Sequence, residues 1–242
     1  MKLLNLGCGE KTSDRPGVVN VDWSAMLRLR THPMRRVLVP VFLHGDRLAR
    51  YRSLPDNILV HNLADGIPFE SGSVDAVYHS HTLEHLDRDV AEDFVREVLR
   101  VLKPGGIHRI VVPDLELLCR NYVAHLDTCD ADPLQLHAHD GYVAAMLEQS
   151  VRREAHGTSQ QRPLRRRVEH RLLGDARRRG QTHQWMYDRV NLSALLLAAG
   201  YGEVHQHSHD SSLISDWNDY GLDLDAEGRE YRPGSLYMEA VK

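Results

Sequence analysis

The chain has 242 residues, of which 42% are hydrophobic and 26% are charged, with a formal net charge of −4. This composition excludes a disordered chain, and the length suits one domain with insertions better than two separate domains. Three cysteines without metal-ligand spacing exclude a disulfide scaffold and a zinc ribbon, which favours a reducing compartment. No apolar run has the pattern of a secretory leader or the length of a membrane span, so we expect a cytoplasmic protein.

Short apolar segments alternate with a helical pattern in the N-terminal half of the chain. Apolar residues recur at helical spacing from Val90 to Leu102, and Lys103-Pro104-Gly105-Gly106 ends that pattern. Strands are predicted at Lys2 to Leu6, Val18 to Val21, Ile58 to Leu63, Val74 to Tyr78 and Ile107 to Val112. This alternation predicts an α/β fold, with a mostly parallel sheet and helices on both faces.

Two insertions interrupt the alternation. The segment from Ser24 to Asn57 reads as irregular, and Pro40 is expected to interrupt any helix there. From residue 115 the strand pattern gives way to helical stretches and an Arg-rich section, which predicts a helical cap at 115–182. The domain core is then formed by 1–114 and 183–242, where a helix from Asn191 to Ala199 and strands at Tyr201 to His207 and Ser235 to Val241 complete the sheet.

Glycine and polar residues follow the predicted strands, at the edge where open α/β sheets bind ligands. Gly7 and Gly9 allow close approach of a ligand to backbone N–H groups. Asp22 ends the second strand and can accept two hydrogen bonds from the hydroxyls of a ribose, with helix capping as the alternative role. A cluster of histidines from His79 to His85 ends the fourth strand.

Four motifs occur in order along the chain: LNLGCGE at 4–10, VNVDW at 19–23, HNLADGIPFESGSVDAVYHSHTLEHL at 61–86 and EVLRVLKPGGIHRIVVPDL at 97–115. Together with THQWMYDRVNLSALLLAAGY and RPGSLYMEAVK nearer the C-terminus, they resemble the class I methyltransferases that use S-adenosylmethionine. The resemblance is to the type-11 branch and to bacterial members associated with glycan assembly. It implies a Rossmann-like fold and S-adenosylmethionine as the cofactor.

The resemblance also implies a role for each matching position. The loop from Asn5 to Gly9 would hold the methionine part of the cofactor, and Asp22 would hold the ribose. The cofactor-binding residues are therefore predicted to be Asn5, Gly7, Cys8, Gly9, Asp22, Trp23, Asn62, Leu63, Ser80 and His81. Lys11 and Asn62 depart from the pattern of the family, which has a third glycine and commonly an acidic residue at these two positions.

Methyl transfer to a hydroxyl requires alignment of the reactants and benefits from a base. The candidate bases are His81, His85 and His183, each with structural hydrogen bonding as the alternative role. Asp114, Trp185 and Tyr187 are the candidate acceptor-binding residues. Asp114 could equally cap the following helix, and the two aromatic side chains could equally serve packing.

Fold analogy favours O-methylation of a sugar or a related small molecule, including a glycan or a lipid-linked glycan. One alternative is a scaffold that binds S-adenosylmethionine without turnover. A dinucleotide-dependent oxidoreductase is disfavoured because the GCGEK loop lacks the last glycine of that fingerprint. Nucleic acid is disfavoured as a partner by the net charge, and no metal site is predicted, since close histidine spacing arises easily in a chain with 16 histidines.

Overall fold

The structure is a computed structural model, and it describes residues 1–131, 136–149 and 182–242. The predicted Arg-rich section lies outside the described residues, so the helical cap and the domain boundaries stay predictions. No helix in the described part of the chain combines the length and the apolar character needed to cross a bilayer.

Seven strands in the described part of the chain form one sheet. They are β1 (Leu3–Leu6), β2 (Val18–Asp22), β3 (Ile58–Val60), β4 (Val74–Ser80), β5 (Leu102–Pro113), β6 (Glu203–His207) and β7 (Ser235–Val241). Their order across the sheet is β3-β2-β1-β4-β5-β7-β6. The first five strands run parallel, whereas β7 is antiparallel to both β5 and β6. The predicted α/β fold with a mostly parallel, Rossmann-like sheet is confirmed.

Two strand boundaries differ from the predictions by three or more residues, for local reasons. The predicted strand from Ile58 to Leu63 stops at Val60, because Asn62 accepts a hydrogen bond from the Ala64 N–H and begins a short 3₁₀ helix. The predicted strand from Ile107 begins instead at Leu102, and a register irregularity beside β4 accommodates the glycines that follow.

The helices described by the structure are α1 (Ala25–Thr31), α2 (Arg35–Phe42), α3 (Asp46–Arg52), α4 (Arg88–Val101), α5 (Leu115–Ala131), α6 (Leu136–Gln149) and α7 (Arg189–Ala199). The prediction of an irregular segment from Ser24 to Asn57 is wrong, since α1, α2 and α3 lie within it. Pro40 lies inside α2. It falls in the last turn, where a missing N–H costs one backbone hydrogen bond and does not stop the helix.

Different elements cover the two faces of the sheet. Apolar side chains of α4 and α7, including Phe94, Val98 and Leu196, pack with Leu4 and Ile110 on one face. The opposite face is covered by a segment that we call the strap (residues 208–234). Buried apolar residues of the strap (Ile214, Trp217 and Leu222) pack there against a cluster that includes Leu3, Tyr78 and Tyr237. The sheet is therefore buried on both sides, as a parallel sheet requires.

Candidate active site

The loop after β1 needs glycine at two positions. Gly7 has a φ of +63° and Gly9 a φ of +55°, both in the left-handed region. A Cβ on Gly7 would lie 2.6 Å from Thr82 Oγ1, whereas a Cβ on Gly9 would meet no atom within 4 Å. The Gly9 N–H donates to Asp22 Oδ2 at 2.6 Å, which ties the loop to the end of β2. The loop is thus fixed on one side and open on the other.

A cavity of 280 Å³ lies at the carboxyl ends of β1 and β4. Six of the ten residues predicted to bind the cofactor contribute to its lining. They are Asn5, Gly7, Cys8, Gly9, Ser80 and His81. Cys8 is mostly buried, and this burial together with the nearby Asp22 raises the pKa of its thiol to about 12. Cys8 is therefore a neutral, unreactive wall of the cavity at neutral pH.

The other four predicted residues lie outside the lining of this cavity. Asp22 is linked to it through Gly9, as described above. Trp23 is 44% exposed, with the Arg28 guanidinium 5.2 Å from its ring centre. Asn62 caps its 3₁₀ helix, and Leu63 packs against the main core. The structure therefore places these four residues at the carboxyl ends of β2 and β3, next to the strand β1 that borders the cavity.

Arg50 and Lys11 also line the cavity, although the sequence did not predict either of them as a site residue. Arg50 of α3 donates to Glu10 Oε1 at 2.5 Å, which brings the first insertion to the cavity. Lys11, at the position of the missing third glycine, donates to the Leu224 carbonyl and lies 4.4 Å from the ring centre of Tyr231. These contacts join segments up to 213 residues apart in sequence, which no local pattern reveals.

The strap that supplies Tyr231 is anchored by a buried ion pair on β5. Arg109 is fully buried and donates to Asp223 at 2.8 Å and to Glu239 at 2.6 Å. Asp223 also accepts hydrogen bonds from Trp217 Nε1 and from the Tyr78 hydroxyl. Because each of the two carboxylates contacts the Arg109 guanidinium, this arrangement can hold the strap over the sheet without leaving an unpaired buried ion.

His81 occupies a constrained position at the end of β4. It has a φ of +49°, an uncommon value for a residue with a Cβ. Its Nε2 lies 2.9 Å from Ser235 Oγ on β7, and its Nδ1 lies 3.4 Å from Glu84 Oε1. Burial, with a smaller effect of Arg232, lowers the pKa of His81 to about 4, so the imidazole is neutral at neutral pH.

The structure brings the three predicted histidine bases together around Glu84, a residue that the sequence analysis missed. His85 Nε2 lies 3.9 Å from Glu84 Oε1, and the rings of His85 and His183 are 4.9 Å apart. Glu84 is 1% exposed, and this burial raises its pKa to about 8. Burial, and then His183, lowers the pKa of His85 to about 4. In the sequence, Glu84 was marked only by its position between two candidate bases, His81 and His85.

None of the three candidate acceptor-binding residues lines the 280 Å³ cavity. Asp114 Oδ1 accepts a hydrogen bond from the Leu117 N–H and so caps the start of α5. Burial raises the pKa of Asp114. Tyr187 is buried, which raises its pKa to about 12, and Trp185 is 36% exposed. Trp185 and Tyr187 line a second cavity of 220 Å³ beside α4 and α7, where Arg88 lies over the Trp185 ring.

The comparisons with known proteins agree with this geometry. The family model described as a methyltransferase domain matches residues 41–110, which run from α2 through β3, β4 and α4 into β5. This match covers less than a third of the chain, and it supports methyltransferase activity with S-adenosylmethionine as the cofactor.

Solved structures similar to this chain include two described as SAM-dependent methyltransferases and one complex with SAH. A SAM-dependent methyltransferase from Archaeoglobus fulgidus is 14% identical and has a TM-score of 0.44, with 100% of this chain and 86% of that chain covered. One from Mesorhizobium loti is 16% identical with a TM-score of 0.43, covering 100% and 90%. DhpI, solved as a complex with SAH, is 18% identical with a TM-score of 0.46, covering 99% and 75%. No curated protein matches the sequence.

Proposed function

We propose that this methyltransferase methylates a hydroxyl oxygen of a sugar or a related small molecule. The observation that carries the proposal is the convergence of the glycine loop and His81 in one polar cavity. Ser80, Glu10 and Arg232 also line this cavity, so its wall offers hydrogen-bond donors and acceptors of the kind that a polyhydroxylated acceptor needs.

The residues around the cavity fit the cofactor. Gly9 leaves its side of the loop open, since a Cβ there would meet no atom within 4 Å, and this allows close approach of the methionine part. We infer that Asp22 holds the ribose hydroxyls, because its carboxylate ends β2 beside the loop. Asn62 and Leu63, which follow β3 on the far side of β2, would border the adenine.

When bound, S-adenosylmethionine supplies a methyl group on a positively charged sulfur, which keeps the electron pair of the broken S–C bond as a neutral thioether. The side chains have to align the acceptor oxygen and to take up its proton as the new C–O bond forms. His81 is the best placed of the three candidate bases because it lines the cavity, and Ser235 fixes its ring at Nε2. The hydroxyl proton would pass to the imidazole of His81.

The test is an acceptor screen with S-adenosylmethionine that carries an isotopically labelled methyl group. Monosaccharides, nucleotide sugars, phenols and amines are each incubated with the full chain, and both S-adenosylhomocysteine and the methylated acceptor are measured by mass spectrometry. We expect a sugar methyl ether. Binding of the cofactor without turnover on any acceptor would favour the scaffold alternative, and methylation of amines alone would contradict the proposal.

The role of His81 is tested in the same assay. His81→Ala should lower kcat by on the order of 10²-fold, while the affinity for S-adenosylhomocysteine changes little. His205→Ala, an exposed histidine on β6, is the matched control and should leave both unchanged. An unchanged kcat in His81→Ala would remove His81 as the base.

A further inference from the structure

Glu84 is a buried acid whose carboxyl group makes no hydrogen bond in the described part of the chain. It is 1% exposed. The rings of His81 and His85 lie 3.4 Å and 3.9 Å from its Oε1, and their low pKa values of about 4 leave both imidazoles neutral at neutral pH. Because a carboxylate loses its hydration when it is buried, such a group is normally paired with a cation or bound to a metal.

The side chains around Glu84 have the donor atoms of a metal site. One ligand atom each from Glu84, His85 and His183 lie within 4.8 Å of one another. Glu84 Oε1 and His85 Nε2 are 3.9 Å apart. Bonds of about 2.1 Å in a tetrahedral site would separate ligand atoms by roughly 3.4 Å. Closing the site around an ion would therefore shorten the separations between these ligand atoms by up to roughly 1.4 Å.

The surroundings of His183 orient it as a ligand. Its Nδ1 lies 3.0 Å from the Gln149 carbonyl, so the Nδ1–H donates to that oxygen and Nε2 is left with its lone pair. Metal-bound histidines usually donate their second ring N–H in this way. The N–H groups of Gln184 and Trp185 also donate to the Glu84 carbonyl, which fixes the segment of His183 against that of Glu84.

We propose that Glu84, His85 and His183 bind a divalent transition metal ion of the Zn²⁺ type, with an open coordination position. One carboxylate and two imidazoles form the protein ligand set of a class of catalytic zinc sites. The site adjoins the cofactor cavity, because His81 both lines that cavity and contacts Glu84. Its role rests on the proposed function: the ion would draw electron density from an acceptor hydroxyl and ease loss of its proton.

The proposal is tested by metal binding alone, without cofactor or acceptor, so that its outcome is independent of the acceptor screen. The full chain is stripped with a chelator and titrated with Co²⁺, which reports nitrogen and oxygen ligands through its visible absorption, and with Zn²⁺ by calorimetry. We expect binding in the wild type and a loss of affinity of at least 10²-fold in Glu84→Gln. His183→Ala should show a similar loss.

Two controls separate this site from other metal-binding side chains. His125, Cys129 and His139 also lie close together on α5 and α6, so Cys129→Ser should leave the ion at Glu84 in place. Zn²⁺ should raise the Tm of the wild type but not that of folded Glu84→Gln, a difference that a purely structural Glu84 would not produce. Absence of Co²⁺ binding in the wild type, or equal binding in Glu84→Gln, would overturn the proposal.

Discussion

The Asp22 carboxylate has a contact within the protein and a proposed contact with the cofactor. Its Oδ2 accepts the Gly9 N–H at 2.6 Å, which holds the glycine loop in register with β2. The proposed ribose site uses the same carboxylate. This double use is possible because a carboxylate offers about four lone-pair positions, and one backbone N–H leaves the others for two ribose hydroxyls.

Asp22→Asn should therefore weaken cofactor binding more than it weakens the fold. The amide keeps one acceptor oxygen but loses the charge, so we expect the affinity for S-adenosylhomocysteine to fall by about 1.5 to 3 kcal/mol in calorimetric titration. Asp65→Asn, an exposed aspartate after β3, is the control and should bind like the wild type. If Asp22→Asn also binds like the wild type, the ribose has been placed wrongly.

The strap connects the core of the sheet to the cofactor cavity. Its middle packs on the second face of the sheet, and residues near its end, Tyr231 and Arg232, line the cofactor cavity. The buried Arg109 guanidinium on β5 fixes it through Asp223 and through the carbonyls of Ser208 and Ser211. The position of the strap residues that line the cavity therefore depends on the buried ionic contacts of Arg109.

Asp223→Asn should destabilise the protein strongly, because it removes one of the two carboxylates that Arg109 contacts and places an amide NH₂ group against a buried hydrogen-bond donor. We expect a loss of about 3 to 5 kcal/mol in the free energy of unfolding by urea. Asp219→Asn is the matched control: it removes an ion pair with Arg15 in which both side chains are exposed, and should cost at most about 1 kcal/mol. Equal losses in the two variants would contradict the anchoring role of Asp223.

At the scale of the whole molecule, stability depends on keeping buried imidazoles neutral. His79 and His108 are fully buried beneath α4 and α7, with ring centres 5.0 Å apart. Burial lowers the pKa of His79 to about 3 and that of His108 well below its ordinary value. Below about pH 6.5 the unfolded chain binds protons at these histidines while the folded chain does not, so acid favours unfolding.

The free energy of unfolding should accordingly fall as the pH drops from 6.5 to 5. Each such histidine contributes about 1.4 kcal/mol per pH unit once its unfolded form is protonated. Glu84 changes the free energy of unfolding in the opposite direction, because its pKa of about 8 lets the folded protein bind a proton at a higher pH than the unfolded chain does. The four buried histidines with lowered pKa values outnumber it (His79, His81, His85 and His108).

His79→Leu isolates one of these contributions. It should reduce the slope of stability against pH by about one proton between pH 5 and 6.5, measured by urea unfolding at several pH values. His205→Leu, at an exposed position on β6, should leave the slope unchanged. A slope in His79→Leu equal to that of the wild type would show that His79 is not kept neutral by the fold.

Local sequence patterns determined the sheet and the loop. The apolar run before Gly7 specifies a strand buried on both faces, and the turn at Gly7 and Gly9 requires left-handed backbone that glycine adopts at low cost. Asp188 and Gly200 likewise bound α7 through a capping box and a left-handed cap. These features depend on neighbours in the chain, so the order of residues carries them.

Only the tertiary structure decided which side chains meet. His183 reaches Glu84 because the segment after residue 181 is hydrogen-bonded to the Glu84 backbone, and Tyr231 reaches Lys11 because the strap is anchored on Arg109. Pro40 inside α2 shows the same limit, since a local rule excluded a helix that the structure contains. Contacts between distant segments depend on packing and charge compensation in three dimensions, and neither leaves a periodic trace in the sequence.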